Sequence, residues 1–136
     1  MVLDTDVFVA AMRSPAGASA ELVRRIRHGR AVMLATVPLF IEYEAVATRP
    51  EHLAAAGATR ADILNVLDVL ARVIEPVEPH FLWRPRLRDP DDEMVLEAAA
   101  NGRADMIVTF NARDFGRAAQ AFGIGLALPA QVLKRV

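Results

Sequence analysis

The chain contains no cysteine, so disulfides, thiolate-held zinc and iron–sulfur clusters are excluded, which suits a cytoplasmic protein. It also lacks a charge excess: 16 basic residues face 17 acidic ones, so this is not an overtly basic nucleic-acid binder. No apolar run approaches the ~18 residues that a membrane-spanning helix requires. Asp4 and Asp6 interrupt the N-terminus where the apolar core of a secretory signal would lie. There is no Gly-rich phosphate loop, Ser14 and Ser19 have no evident histidine partner, and His28, His52 and His80 show no ligand spacing. Lysine is almost absent, with Lys134 the only one. Arginine carries the positive charge instead, clustered at Arg24, Arg25, Arg27 and Arg30 and again at Arg84, Arg86 and Arg88. Such clusters are either ordinary solvated faces or phosphate-holding groups, since arginine favours bidentate contacts with phosphate and carboxylate.

What is present is a chain of 136 residues, 54% hydrophobic, with no internal repeat and no linker; it is expected to fold as one domain over 1–136. Val2-Leu3 read as a short strand ending at a carboxylate. An amphipathic helix is expected over 18–27, with Leu22, Val23 and Ile26 on one face, and a buried strand over 31–36. Pro38 suits the first turn of a second helix, which Pro50 is expected to close. Thr59 caps a further helix running to Arg72, and Val73 to Val77 read as a third strand. The stretch 79–88 is irregular and carries Trp83 between prolines. Asp89 and Pro90 then open a helix, 106–109 form a fourth strand, and 125–128 a fifth. Strands and helices alternate without hairpin signals, which predicts a three-layer α/β domain with a mainly parallel sheet. Ligands of such sheets bind beyond the carboxyl ends of the strands, where Asp4, Asn111 and Asp114 would converge.

One carboxylate stands out. Asp92 shares a helical face with Val95, Leu96 and Ala99, at i, i+3, i+4 and i+7, while Glu93 and Glu97 fall on a different, wetter face. Acids in a first helical turn favour the macrodipole by ~0.3–1 kcal/mol each, which accounts for Asp89, Asp91, Asp92 and Glu93 together. It does not account for an acid facing inward, because burying an ionised carboxylate costs several kcal/mol unless a cation or donors meet it. Glu42 and Glu44 flank the apolar arc of Leu39, Phe40, Tyr43, Val46 and Ala47 almost symmetrically, and periodicity does not choose between them. Asp4 and Asp6, like Asn111 and Asp114, are also ordinary turn and cap residues. Taken together, an acid after strand one, one on the second helix, one in the late helix and one after strand four make an oxygen cluster. Such a cluster suits Mg²⁺ or Mn²⁺, with which it would attract phosphodiester oxygens and activate water.

The ordered pieces Val2-Leu3-Asp4-Thr5-Asp6-Val7, Glu42-Tyr43-Glu44-Ala45-Val46 with Arg49-Pro50, Asp89 to Ala99, and Ala104 to Phe115 resemble the PIN-domain nucleases, in particular the VapC-like toxin components of toxin–antitoxin pairs. The resemblance covers essentially the whole chain. It implies a Rossmann-like α/β/α fold with a five-stranded parallel sheet and Mg²⁺-dependent cleavage of RNA to a 5′-phosphate and a 3′-hydroxyl. It also implies a cognate antitoxin and a homodimer. Its acids map onto Asp4, Glu42 and Asp92, with the fourth position either Asn111, where many relatives carry Asp, or Asp114. Thr109 matches the family's hydroxyl residue after the fourth strand. Asp6 stands where Asn or Ser is frequent, so this chain carries an extra carboxylate. Asp4-Thr5-Asp6-Val7 also fits the nucleophile loop of HAD-type phosphatases, with Asp4 phosphorylated. That chemistry calls for a lysine or arginine after a later strand, and the only lysine is at the C-terminal end. A degenerate PIN fold acting as a binding module is the non-enzymatic alternative.

Overall fold

The computed structural model describes residues 1–80 and 87–136. Trp83, Arg84 and Arg86 lie outside the described residues. Five short strands, β1 (Val2–Leu3), β2 (Leu34–Ala35), β3 (Glu75–Pro76), β4 (Met106–Val108) and β5 (Gly125–Ala127), alternate with helices. The first five helices are α1 (Thr5–Arg13), α2 (Ala18–Arg27), α3 (Val37–Ala47), α4 (Pro50–Ala56) and α5 (Arg60–Ala71). After them come α6 (Pro90–Asn101), α7 (Ala112–Ala121) and α8 (Pro129–Leu133). Every strand pairing is parallel, as the alternation requires. Val2, Leu3, Ile107 and Val108 are fully buried, the mark of strands covered on both faces. One apolar cluster extends from Val2 to Val132.

The single five-stranded sheet is not what forms. The strands make a three-stranded sheet in the order β1-β4-β5 and a separate pair, β2-β3. The reason is local. The strands of that seam are two residues long, and Leu34 N–H to the Met1 carbonyl, at 2.8 Å, is the backbone bond that crosses it. The Met1 ammonium adds a bond to the Val32 carbonyl at 3.0 Å. Helix α6 packs on β1, β2 and β4 together and so covers the seam. Strands two and three are also shorter than their apolar runs, because Val32 and Val73 face solvent.

Helices α1, α4 and α8 depart from the sequence reading, α8 following the fifth strand where no helix was expected. Helix α1 is unexpected from its β-branched Thr5, Val7 and Val9, which disfavour a helix locally. Burial of Val7, Phe8, Val9 and Ala11 and the cap supplied by Asp4 override that preference. Proline 50 does not merely end α3. The chain breaks at Thr48–Arg49, and Pro50 then opens α4 as its first residue, where its missing N–H costs nothing. Gly57, at φ 62°, closes α4 in the left-handed region. By contrast α5, with its Thr59–Asp62 capping box, and α6, with Asp89 accepting from Asp91 N–H at 2.9 Å, begin where the sequence places them. Gly102 follows α6 because any side chain would collide with Val77: a Cβ there would stand 2.7 Å from its Cγ2.

Candidate active site

The carboxyl ends of β1 and β4 lie side by side and build the site. Asp4 extends the ladder by one residue, donating its N–H to the Val108 carbonyl at 2.9 Å, and the chain then turns into α1. As the helix cap, Asp4 accepts from Thr5 N–H through Oδ1 at 2.8 Å. Its Oδ2 accepts from the Thr109 hydroxyl at 2.7 Å. Thr109 is buried, and its oxygen also accepts from Asn111 N–H at 2.9 Å. Asn111 sits at the cap position of α7 but makes no side-chain cap bond. Its amide instead donates to Asp6 Oδ2 at 2.7 Å. From behind, the fully buried Tyr43 of α3 donates to the Leu3 carbonyl at 2.5 Å and stacks on Phe8 with ring centres 5.3 Å apart. It therefore holds the strand end that presents Asp4. Tyr43 enters the sequence reading only as part of an apolar arc, since a hydroxyl inside such an arc gives no hint of its partner.

The electrostatics follow from this packing. Asp4 is only 6% exposed, and burial raises its pKa to about 6 against the opposing Thr109 hydrogen bond, with the Asp6 charge adding to the rise. Asp6 is likewise raised, by burial first, against hydrogen bonding with Asp4 and with the Val7 and Phe110 amides, the charge of Asp92 adding to the rise. Its Oδ1 is buried without a hydrogen-bond partner. Asp92 is pushed up to about 6 by burial and then by the charges of Asp4, Asp89, Asp114 and Asp91. The strand ends and the start of α6 thus bring Asp4, Asp6, Asp92 and Asp114 into one repulsive field.

Asp92 is half-buried rather than fully inside, whereas Val95, Leu96 and Ala99 on its face are buried. It lies in the first turn of α6, where the apolar face runs out to the cleft. Glu93 and Glu97 do not form a wet face: both are half-buried, and Glu93 accepts from Leu87 N–H. The two glutamates of α3 part company. Glu42 points toward the start of α6, its pKa raised by partial burial and by Asp91, with Arg49 opposing. Glu44 points toward α5 and meets Arg60 at 3.7 Å. Asp114 and Asn111 are exposed at the start of α7.

Of the first arginine cluster, Arg24 is paired with Glu21 at 2.9 Å and bonded to the Pro15 carbonyl. Arg25 is bonded to Glu21 and to the Leu133 and Val136 carbonyls, tying α2 to the C-terminal segment. Lys134 lines a hollow with Asp105, Met106 and Gly125, at the amino ends of β4 and β5 and thus across the sheet from Asp4.

Among the described residues no three acidic or histidine side chains converge closely enough to hold one ion as they stand. The donor chemistry nevertheless fits a hard divalent cation. The site offers carboxylate oxygens, a hydroxyl and an amide, and one buried carboxylate oxygen has no donor. A cation would also remove the repulsion that raises Asp4, Asp6 and Asp92.

Comparison with known proteins agrees with this geometry. No curated protein and no solved structure gives a significant match. A family model described as PIN domain matches residues 1–113, a stretch that contains Asp4, Asp6, Glu42, Asp92, Thr109 and Asn111. PIN domains are typically nucleases and generally use divalent metals. With the match covering most of the sequence, and with acids gathered at the carboxyl ends of parallel strands, the chain belongs to the PIN-domain family.

Proposed function

We propose that this chain is a Mg²⁺- or Mn²⁺-dependent ribonuclease, the toxin of a toxin–antitoxin pair. The single observation that carries the reading is the buried Asp4, locked by the Thr109 hydroxyl and the Thr5 amide beside an Asp6 oxygen that no donor meets. Nothing in folding rewards such a pair, since stability alone would favour neutral or apolar groups there. Asp4, Asp92 and Asp114 would hold the metal, with Glu42 completing the site. A bound divalent ion supplies Lewis acidity and a water of lowered pKa. The protein's own part is orientation: Thr109 keeps Asp4 in one rotamer, Asn111 restrains Asp6, and Tyr43 anchors the strand beneath them. With its carboxylates neutralised, the edge admits a phosphodiester that it would otherwise repel.

The position of Lys134, the only lysine, leaves no lysine beside Asp4 for an aspartyl-phosphate phosphatase. We place the protein in the cytoplasm, as one three-layer domain over 1–136, restrained by an antitoxin and acting as a homodimer. Support for a partner is the exposed pair Val37 and Ile41, one turn apart on α3 beside a hollow lined by Phe40, Ile74 and Pro76. Among the described residues no helix is long and apolar enough to cross a membrane. The test is incubation of mixed RNA with purified protein. Cleavage to 5′-phosphate ends with Mg²⁺ or Mn²⁺, blocked by EDTA and absent in Asp92→Asn, is expected. Metal-bound protein that leaves RNA intact would point to a binding module.

A further inference from the structure

We infer that Asp6, aimed by Asn111, supplies a fifth carboxylate to the metal site, beside Asp4, Glu42, Asp92 and Asp114. The inference rests on the metal-dependent reading above and gives a ligand role to Asp6, which that reading does not count among the groups holding the metal.

Three features of the geometry point to it. Asn111 occupies the N-cap of α7, where its side chain would ordinarily accept from the helix for about 1 kcal/mol. It forgoes that bond and donates to Asp6 Oδ2 at 2.7 Å. An amide donor in this place has one evident use, which is to hold an acceptor in a fixed rotamer. Held so, Asp6 leaves its Oδ1 buried and without a partner. Asp4 accepts from Thr5 N–H and the Thr109 hydroxyl, so its own bond to Asp6 exists only while the pair holds a proton. A divalent cation would meet the same buried oxygen in place of that proton. Asp6 lies in the first turn of α1, where the helix dipole favours its ionised form.

The experiment is Mn²⁺ binding to the full chain at pH 7, with affinity and the number of water molecules on bound Mn²⁺ read by solvent proton relaxation. Asp6→Asn is expected to weaken Mn²⁺ at least tenfold and to add a water to the bound ion. Asp6→Ser is the second variant, so that the result does not depend on one substitution folding. Asn111→Ala is expected to weaken Mn²⁺ severalfold in the wild-type background and not at all in Asp6→Asn, because Asn111 acts through Asp6. As a control, Asp68→Asn, at an exposed position of α5, should change nothing. Unchanged affinity or an unchanged water count in both Asp6 variants overturns the assignment, as does an equal effect of Asn111→Ala in both backgrounds. If wild type binds Mn²⁺ and cuts RNA while the Asp6 variants match it, only the Asp6 inference fails. If wild type takes up no Mn²⁺, both it and the ribonuclease reading fall.

Discussion

Asp4→Asn tests whether the acidic edge is built for a cation. The substitution keeps the shape of the side chain. Asn Oδ1 can still accept from Thr5 N–H, and the Thr109 hydroxyl can turn to accept from the new amide. What changes is charge. In the folded protein Asp4 titrates near 6 rather than 3.8, despite its two donors, so burial and the neighbouring acids outweigh them. A rise of about two units is worth about 3 kcal/mol against the ionised form. Because the folded value lies above the unfolded one, the corresponding stability is fully present below pH ~4 and is lost as pH rises through ~6. Metal-free wild type should therefore fall behind Asp4→Asn as pH rises, the gap opening by about 2 kcal/mol between pH 4 and pH 7. For a chain of this length that is roughly 5–10 °C in melting temperature. Saturating Mg²⁺ at a hundred times its dissociation constant restores about 3 kcal/mol to wild type and nothing comparable to the variant. The assay is thermal unfolding at pH 4, 5, 6 and 7, with EDTA or Mg²⁺. If Asp4→Asn melts lower than wild type at pH 7 without metal, or if the gap does not vary with pH, the donors satisfy Asp4 and the argument for a cation collapses.

Three further outcomes follow from single contacts. Glu42→Gln should depress RNA cleavage at least tenfold, while Glu44→Gln loses only an exposed pair with Arg60, worth under about 1 kcal/mol, and leaves cleavage intact; the reverse pattern in a cleavage assay would transfer the role to Glu44. Tyr43→Phe leaves the Leu3 carbonyl without its donor and should cost about 1–3 kcal/mol in urea unfolding, with a fall in cleavage as the Asp4 strand loosens. Arg25→Ala should free the C-terminal segment to exchange amide hydrogen faster without altering the salt slope of RNA binding, since its guanidinium is engaged with Glu21, Leu133 and Val136; a flattened slope would make it a phosphate contact.

The features legible in the sequence are those set by neighbours within a turn or two. The start of α6 at Asp89-Pro90 and the Thr59 cap of α5 depend on groups three or four residues apart, and both stand as read. Parallel strands follow from alternation alone, because two strands separated by a helix return in the same direction. The same local rule identified Asp92 as an acid on an apolar face, though it could not show that this face ends at the cleft, leaving the carboxylate half-buried.

Contacts between distant segments were beyond that rule. The bonds Thr109–Asp4 and Asn111–Asp6 each span 105 residues, and Tyr43–Leu3 spans 40; no periodicity encodes them. Glu42 and Glu44 are equivalent on a helical wheel and became distinct only when α6 packed on one side of α3 and Arg60 of α5 on the other. The split of the sheet arose the same way, from a seam of two-residue strands bridged at Met1 by its bonds with Leu34 and Val32. Sequence therefore determined which residues could carry charge into the interior and which segments could be helix or strand. Tertiary structure alone decided which charges meet, because repulsion and hydrogen bonding act over a few ångströms and only the packed chain sets those distances.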